Sequence, residues 1–260
     1  MEDVPSVPVI VQQDCAGPYD AWLLPRLQMQ FPTTDGPVRA ARPKLGGQPV
    51  WLDRPTWPLS RSSGEPMVFV GQFPVPEGRS TRLAYLFLTD DVGCTAPTCE
   101  PEAGENALLV QPDGRVPSFV RTCGAVTGPS LWRRGVTWDD HVDVELAVEL
   151  VPLDAAVEAV LDADIAVGEA ERAGVLPDRS QGSEVAAAAP GPYSYLGGKV
   201  RRWQAHLPLE VPDDWRFHFQ LDHGDGNSPG DPYALNLGGG SGYGFLSPDL
   251  REGRFSWDCV

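Results

Sequence analysis

The sequence predicts an α+β fold, mostly antiparallel β, in which two quasi-repeated β-rich lobes are joined by one long connecting helix. Three observations support this prediction. A set of short motifs occurs twice, in the same order, along the 260 residues. One segment alternates apolar and polar residues with the period of two typical of a half-buried strand. Another segment has apolar residues at helical spacing.

The repeated motifs begin with a Leu-Gly-Gly step that is followed by a tryptophan, an apolar run containing a glutamine, and an aromatic run before an aspartate. The first copy has Gly46, Gly47, Trp51, Gln72, Tyr85 and Asp90, and the second has Gly197, Gly198, Trp203, Gln220, Tyr243 and Asp249. An ordered recurrence of this kind indicates an internal duplication. Chance similarity is the alternative, because glycine is abundant in this chain.

The prediction divides the chain into four parts that form one compact unit. Residues 1–40 are a proline-rich lead-in that wraps the first lobe and includes a short helix over residues 19–30, broken at Pro25. Residues 41–151 form the first lobe, and residues 193–260 form the second. Residues 152–192 provide the helix and a linker rich in alanine and serine.

The strand predictions rest on alternation and on turn residues. Val142, Val144, Leu146, Val148 and Leu150 alternate with mostly polar residues, which favours one continuous strand in a sheet with a solvated face. A Pro-Asp-Gly turn at residues 112–114 predicts that a strand over 106–111 is followed by one over 115–121. A final strand is predicted over residues 255–260.

The helix is predicted over residues 152–174. Its apolar face consists of Leu153, Val157, Val160, Leu161 and Ile165. Proline suits the first turn of a helix and glycine suits its exit, which fits Pro152 and Gly174. Because most helix stability comes from packing the apolar face, we expect this face to be buried against a sheet.

The charge of the chain restricts its partners. The formal net charge is −16, so a nucleic-acid backbone or an anionic membrane surface would be repelled. Such a surface favours a basic protein partner, although solubility alone is also a sufficient reason for it. The acidic N-terminus has no apolar signal core, and no stretch is long enough to span a membrane. We therefore expect a cytoplasmic protein with no membrane and no nucleic-acid contact.

Several of these motifs are similar to those of the YwqG-like family of bacterial proteins. The matching residues include Lys44-Leu45-Gly46-Gly47-Gln48-Pro49, Phe69-Val70-Gly71-Gln72-Phe73, Phe219-Gln220-Leu221-Asp222 and Gly242-Tyr243-Gly244-Phe245-Leu246. The resemblance covers about residues 43 to 250. It implies two related β-rich halves and no known reaction, and it suggests an immunity-like role against a toxin. Family members tend to carry Trp-Gly-Asp before the last aromatic strand, where this chain has Asn236-Leu237-Gly238.

The candidate ligand-binding residues are Gln72, Gln220, Asp222, His223 and Asp225. A buried amide has both a donor and an acceptor, so each glutamine either reads a polar ligand or ties down the neighbouring Leu-Gly-Gly segment. The Asp222-to-Asp225 cluster has oxygen ligands for a cation, but it lacks EF-hand spacing and is also an ordinary turn sequence. Gly46, Gly47, Gly197 and Gly198 are predicted to be structural turns.

Other sites are predicted to be absent. Ser241 lies in a glycine-rich run, but Tyr243 stands where a nucleophile elbow requires glycine. Cys94, Cys99 and Cys123 are spaced too widely for a typical structural zinc site, so we expect free thiols, with zinc as the alternative. His218 alternates with apolar neighbours and is expected to face solvent or the groove between the lobes. The sequence predicts no metal, no cofactor and no catalytic residue.

The predicted function is therefore that of a non-enzymatic binding protein with an acidic surface. The alternative is an enzyme that acts on a small polar molecule in the groove between the two lobes. In that case Gln72, Gln220 and the Asp222-to-Asp225 cluster would line the groove. A deep pocket with converging polar groups favours the enzyme, and a flat acidic face favours the binding protein. The sequence does not determine the oligomeric state.

Overall fold

In the computed structural model, two antiparallel β-sheets form the centre of the molecule. The structure describes residues 25–32, 34, 36–76, 81–90, 97–135, 140–175, 194–205, 207–208, 210–225 and 232–259. Within these residues the prediction of an α+β, mostly antiparallel β fold is confirmed, with a single α-helix. That helix is not long and apolar enough to cross a membrane.

The six-stranded sheet combines strands from the start, middle and end of the chain. In spatial order it contains β11 (Glu149–Pro152), β1 (Leu27–Gln30), β12 (Tyr195–Leu196), β13 (Arg216–Asp222), β16 (Ser241–Leu246) and β17 (Gly253–Asp258). β17 corresponds to the predicted final strand over residues 255–260, of which Val260 lies outside the described residues.

The five-stranded sheet has the order β10 (Glu145–Ala147), β2 (Lys44–Gly46), β4 (Val68–Pro74), β5 (Leu83–Leu88) and β6 (Asn106–Gln111). A small sheet contains β14 (Gly224–Asp225), β15 (Ala234–Leu235), β8 (Trp132–Arg134) and β9 (His141–Asp143). β3 (Trp57–Leu59) pairs with β7 (Arg121–Cys123). The strand predicted over residues 115–121 is therefore wrong, since only Arg121 of that range is in a strand.

The two large sheets pack face to face around one apolar core. Phe73 of β4 stacks on Phe219 of β13, with ring centroids 4.1 Å apart. The same cluster includes Leu45, Leu86, Leu108, Met29, Leu246 and Phe255, all nearly or completely buried. Since burial of apolar area is the main stabilising contribution to folding, the two predicted lobes share the core that holds them together.

Each sheet also has an outer face with its own cover. On the five-stranded sheet, Phe69, Tyr85 and Phe87 pack with Trp57 of β3. On the six-stranded sheet, Tyr195 packs with Leu161 of the helix α1 (Ala155–Arg172). Strands that are buried on both faces contain apolar residues in continuous runs, as β5 does, and such strands do not alternate with polar residues.

The continuous strand predicted over residues 142–150 is wrong in its pairing. The segment forms β9, β10 and β11, which pair with β8, β2 and β1 in three different sheets. Val144 and Val148 are buried as the alternation predicts, but they lie between the short strands. The chain thus crosses from the edge of the five-stranded sheet to the edge of the six-stranded sheet.

The described end of the lead-in is a strand and not the predicted helix. Leu27–Gln30 forms β1, which pairs with β11 at the end of the predicted first lobe and with β12 of the second lobe. Met29 is buried in the shared core and Gln30 is exposed, so neighbouring side chains point to opposite faces, as they do in a strand. The remainder of that predicted helix, residues 19–24, lies outside the described residues.

The helix α1 begins later than residue 152, because Pro152 is the last residue of β11. Asp154 is the N-cap, and its carboxylate accepts a hydrogen bond of 2.8 Å from the Ala156 amide. Leu161 and Ile165 are buried, as the apolar spacing predicts. Gly174, two residues after the helix, has a φ of +73°.

The strand registers around the two motif copies match position for position. Lys44 of β2 is opposite Gln72 of β4, and Tyr195 of β12 is opposite Gln220 of β13. The next strand places Tyr85 opposite Gln72 and Tyr243 opposite Gln220. A register shift follows Phe69 in β4 and Phe217 in β13, which are the corresponding places.

Candidate binding groove

An open groove of about 820 Å³ runs along α1 on the outer side of the six-stranded sheet. One side is formed by the helix residues Asp164, Gly168, Glu169 and Arg172. The other side is formed by two segments of the second motif copy, residues 198–205 and 213–217. A concave surface of this size is large enough for a small ligand or a peptide segment.

Ion pairs hold α1 in place beside this groove. Arg26, which is buried, lies 3.0 Å from Asp162 and 3.7 Å from Glu158. Lys199 lies 3.4 Å from Glu169, and Arg201 is ion-paired with Asp164. The acidic residues of α1 are therefore largely matched by basic residues of the sheet and of the groove wall. They carry little of the free negative charge of the protein.

Gln220 fixes the first part of the groove wall. Its Oε1 accepts hydrogen bonds from the Tyr195 hydroxyl at 2.9 Å and from the Arg201 amide at 3.2 Å. The Tyr195 hydroxyl also lies 2.8 Å from the carbonyl of Lys199. Burial raises the pKa of Tyr195 well above its ordinary value, so the hydroxyl stays protonated. Residues 199–201 are thus tied to the sheet through one buried amide.

Asp258 fixes the second part of the wall. Its carboxylate accepts hydrogen bonds from the Trp203 amide at 3.3 Å and from the Gln204 amide at 3.2 Å. The Arg202 guanidinium also donates to it at 3.2 Å, and the Tyr243 hydroxyl is a further partner. Burial, together with the neighbouring Asp258, raises the pKa of Tyr243 well above its usual range. Satisfied buried networks of this kind make a surface segment rigid.

Gln72 has the corresponding structural position in the other sheet. Its Oε1 accepts a hydrogen bond from the Val50 amide at 2.9 Å, and its Nε2 donates to the Arg42 carbonyl at 2.8 Å. Its neighbour Phe73 points into the shared core, so the amide faces the outer cluster of the five-stranded sheet. The same alternation places Gln220 on the outer face of the six-stranded sheet. The two glutamines therefore lie on opposite sides of the molecule and do not line one groove.

The four predicted turn glycines have left-handed backbone conformations. Gly46 and Gly47 have φ of 66° and 65°, and Gly197 and Gly198 have φ of 77° and 69°. A Cβ on Gly46 would lie 2.1 Å from the carbonyl oxygen of Val144. Side chains are disfavoured both by this conformation and by this contact.

The cluster of polar residues after β13 makes local contacts. The Asp222 carboxylate accepts from the His223 amide at 3.1 Å and from the Ser241 hydroxyl at 3.5 Å. Asp225 lies in β14, and the residues 226–231 that follow lie outside the described part of the chain. Within the described residues, no three His, Cys, Asp or Glu side chains are arranged to hold a metal ion.

Ser241 has no histidine partner among the described residues. Its side chain is fully buried, its Oγ accepts a hydrogen bond of 3.1 Å from the Trp203 indole, and it donates to Asp222. A serine nucleophile needs a base that takes its proton, usually a histidine within hydrogen-bond reach. Ser241 therefore ties Trp203 to the sheet.

His218 is not exposed, so the prediction that it faces solvent or the groove is wrong. Only 2% of the residue is accessible, and burial lowers its pKa to about 3. The register shift between Phe217 and Phe219 explains the error, because a bulge interrupts the alternation from which its direction was predicted.

The described cysteines are free thiols. Cys99, Cys123 and Cys259 are partly buried, and burial raises the pKa of Cys99. Cys94, the first cysteine of the zinc alternative, lies outside the described residues.

The groove residues other than Gly198 were not predicted as site residues. They come from α1 and from segments that contact it only in the folded chain. The sequence signal that points to them is the triplet Asp213-Asp214-Trp215, two adjacent carboxylates before an aromatic residue.

Comparison of the chain with protein-family models and with curated proteins finds no match.

Proposed function

We propose that this chain is a non-enzymatic binding protein whose groove beside α1 receives a basic segment of a partner protein. The observation that carries the proposal is the pair Asp213 and Asp214 at the groove. Both are exposed, and neither makes an ion pair with the part of the chain that the structure describes. The other groove acids, Asp164 and Glu169, already have basic partners.

The overall charge supports the same partner chemistry. A net charge of −16 attracts a basic protein over a distance, which accelerates association more than it strengthens the final complex. At the groove, a lysine or arginine of the partner would pair with Asp213 or Asp214. Trp215 and Phe217, which also line the groove, offer apolar surface to the aliphatic part of that side chain.

The enzyme alternative has less support. The described residues that line the groove include neither histidine nor cysteine. The two glutamines that this alternative requires in one cleft lie on opposite outer faces, and each ties a neighbouring segment. General acid–base catalysis needs a titratable group within reach of a bound substrate. Among the described groove residues, only Asp213 and Asp214 are unpaired carboxylates that could act as a base.

The proposal is tested by titrating the protein with a lysine-rich peptide in a calorimeter, with a glutamate-rich peptide of equal length as the control. The double variant Asp213→Asn/Asp214→Asn removes the two free carboxylates. Exposed charge pairs contribute about 0.2–1 kcal/mol each, so we expect the affinity for the basic peptide to fall about 2- to 30-fold.

The matched control is Glu65→Gln/Glu100→Gln, which removes the same charge at exposed positions outside the groove. This variant should bind like the parent. Equal weakening in both variants would mean that only net charge matters and would contradict a groove site. Failure of the parent to bind the basic peptide would also contradict a groove site.

We also propose that the two halves arose by duplication, which agrees with the similarity to the YwqG-like family. The same similarity agrees with an immunity-like role, in which the basic partner would be a toxin. The matching registers support the duplication. So do two hydrogen bonds, in which the glutamine of each copy accepts from the amide six residues after the start of that copy's Leu-Gly-Gly strand, Val50 after Lys44 and Arg201 after Tyr195.

The duplication predicts that Gln72→Ala and Gln220→Ala have similar costs, about 1–3 kcal/mol for the buried groups left unpaired. Thermal melts without any ligand measure this cost. Unchanged melting of both variants would contradict the shared structural role.

A further inference from the structure

β1 and β10 occupy the same place relative to the two motif copies. Leu27 of β1 pairs with Leu196 of β12, and Leu146 of β10 pairs with Leu45 of β2. The Met29 amide donates to the Ser194 carbonyl at 2.9 Å, and the Val148 amide donates to the Pro43 carbonyl at 3.3 Å. Each acceptor is the residue before the Leu-Gly-Gly strand of its copy.

The side chains of these strands correspond as well. Glu145 of β10 pairs with Lys44 at 2.6 Å, and a Cβ on Gly47 would lie 2.3 Å from its carboxylate. Arg26, just before β1, lies 5.2 Å from the centre of the Tyr195 ring, and a Cβ on Gly198 would lie 2.8 Å from its Nε. An ion pair in one copy thus takes the place of a cation–π contact in the other.

The order along the chain is the reverse of the order in space. β1 precedes the first copy but pairs with the second, and β10 precedes the second copy but pairs with the first. The first strands of the two copies have therefore exchanged places. In addition, β1 is inserted between β11 and β12, so all its strand partners lie more than 100 residues away in sequence.

We propose that the slot between β11 and β12 also takes β1 from a second copy of this chain, so that two chains form a strand-exchanged dimer. The exchanged strand makes the same strand pairings in the dimer as in the monomer, and the connection from β1 to β2 takes a different path. Strand addition to an open sheet position is an established mode of recognition. The partner that fits this slot is therefore β1 itself.

The experiment uses the full chain with the substitutions Gln30→Cys and Glu149→Cys. These two exposed residues are directly opposite each other in β1 and β11. Opposite residues of antiparallel strands have Cα atoms about 4.5–5.5 Å apart, which suits a disulfide. Because a tethered strand has a local concentration on the order of mM, the dimer should form when unfolded chains refold at high protein concentration.

The double variant is refolded dilute and concentrated, oxidised, and analysed by non-reducing electrophoresis with peptide mapping of each band. We expect the dilute sample to carry the engineered bond within one chain. The concentrated sample should contain a covalent dimer joined through the same bond. Each single substitution is the control for the natural cysteines and should give no dimer with this bond. A monomer at every concentration, or a dimer in which the engineered bond stays within one chain, overturns the proposal. Neither result would affect the groove, which is tested by peptide binding.

Discussion

Gly46→Ala tests whether the first Leu-Gly-Gly segment is a fixed turn. Gly46 ends β2 with a φ of 66°, and a Cβ there would lie 2.1 Å from the Val144 carbonyl oxygen. That oxygen is a backbone atom, so it cannot move away by a side-chain rotation. It also accepts a hydrogen bond of 2.9 Å from the Gly47 amide, which holds β2 against the chain beside β10.

The cost of the substitution has two parts. A side chain in the left-handed region costs about 1–2 kcal/mol. Displacement of the Val144 carbonyl removes its hydrogen bond, and the loss of a typical intramolecular hydrogen bond costs about 0.5–1.5 kcal/mol. We therefore expect Gly46→Ala to lower the free energy of unfolding by about 1.5–3.5 kcal/mol, before any further strain in the sheet.

Gly64→Ala is the matched control, because Gly64 has a φ of 78° but no atom within 4 Å of the added Cβ. It should show only the conformational part, about 1–2 kcal/mol. Urea unfolding followed by tryptophan fluorescence measures both losses. The two values can be compared directly if the dependence of the free energy of unfolding on urea concentration is the same in both variants. Equal losses in the two variants would refute the argument, because the contact with Val144 would then contribute nothing.

Two further predictions concern the helix and a buried carboxylate. Leu161→Ala should lower the free energy of unfolding by about 2–5 kcal/mol, because this side chain is almost completely buried between α1 and the sheet. The exposed Glu171→Ala should lower it by less than about 0.5 kcal/mol. Similar losses for the two variants in urea melts would mean that α1 does not pack on the sheet through this face. Burial alone would raise the pKa of Glu105, but hydrogen bonds from Thr89, Ser60 and Ser62 outweigh burial and hold the pKa below its ordinary value. The contribution of Glu105 to the free energy of unfolding should therefore be complete above about pH 4.5 and should decrease as the pH falls below it. Glu105→Gln should reduce this dependence in melts at neutral and acidic pH, and an unchanged dependence would contradict the assignment.

The features predicted correctly from the sequence are those that depend on neighbouring residues. Gly46 and Gly197 have left-handed backbone conformations, which glycine adopts without the steric cost of a side chain. β13 contains the apolar run with Gln220, and β17 overlaps the final strand predicted over residues 255–260. The apolar face with Leu161 and Ile165 also depends only on local spacing.

The features that were missed depend on distant partners. The same alternation over residues 142–150 is compatible with one long strand or with three short ones, and pairing with β8, β2 and β1 decides between them. β1 is too short for its own propensity to determine its structure, and its place in the six-stranded sheet is set by β11 and β12. The groove is formed by α1 and by residues 198–205 and 213–217, which follow the end of the helix by about 25 to 45 residues. No local pattern indicates that Asp213 and Arg172 line the same groove.

The buried His218 leads to a last prediction, on the dependence of stability on pH. Its pKa in the folded protein is about 3 because burial disfavours the charged ring, whereas the unfolded chain has a value near 6.5. Below about pH 6.5 the unfolded state therefore binds a proton that the folded state does not, so stability present at neutral pH is lost as the pH falls. Between about pH 7 and pH 5 this one group should remove about 2 kcal/mol from the free energy of unfolding. Urea melts of His218→Gln should lack this loss, whatever the effect of the substitution at neutral pH, whereas the exposed His141→Gln should retain it. An equal loss between the two pH values in the parent and in His218→Gln would show that the ring is protonated in the folded protein and that its burial does not exclude the charge.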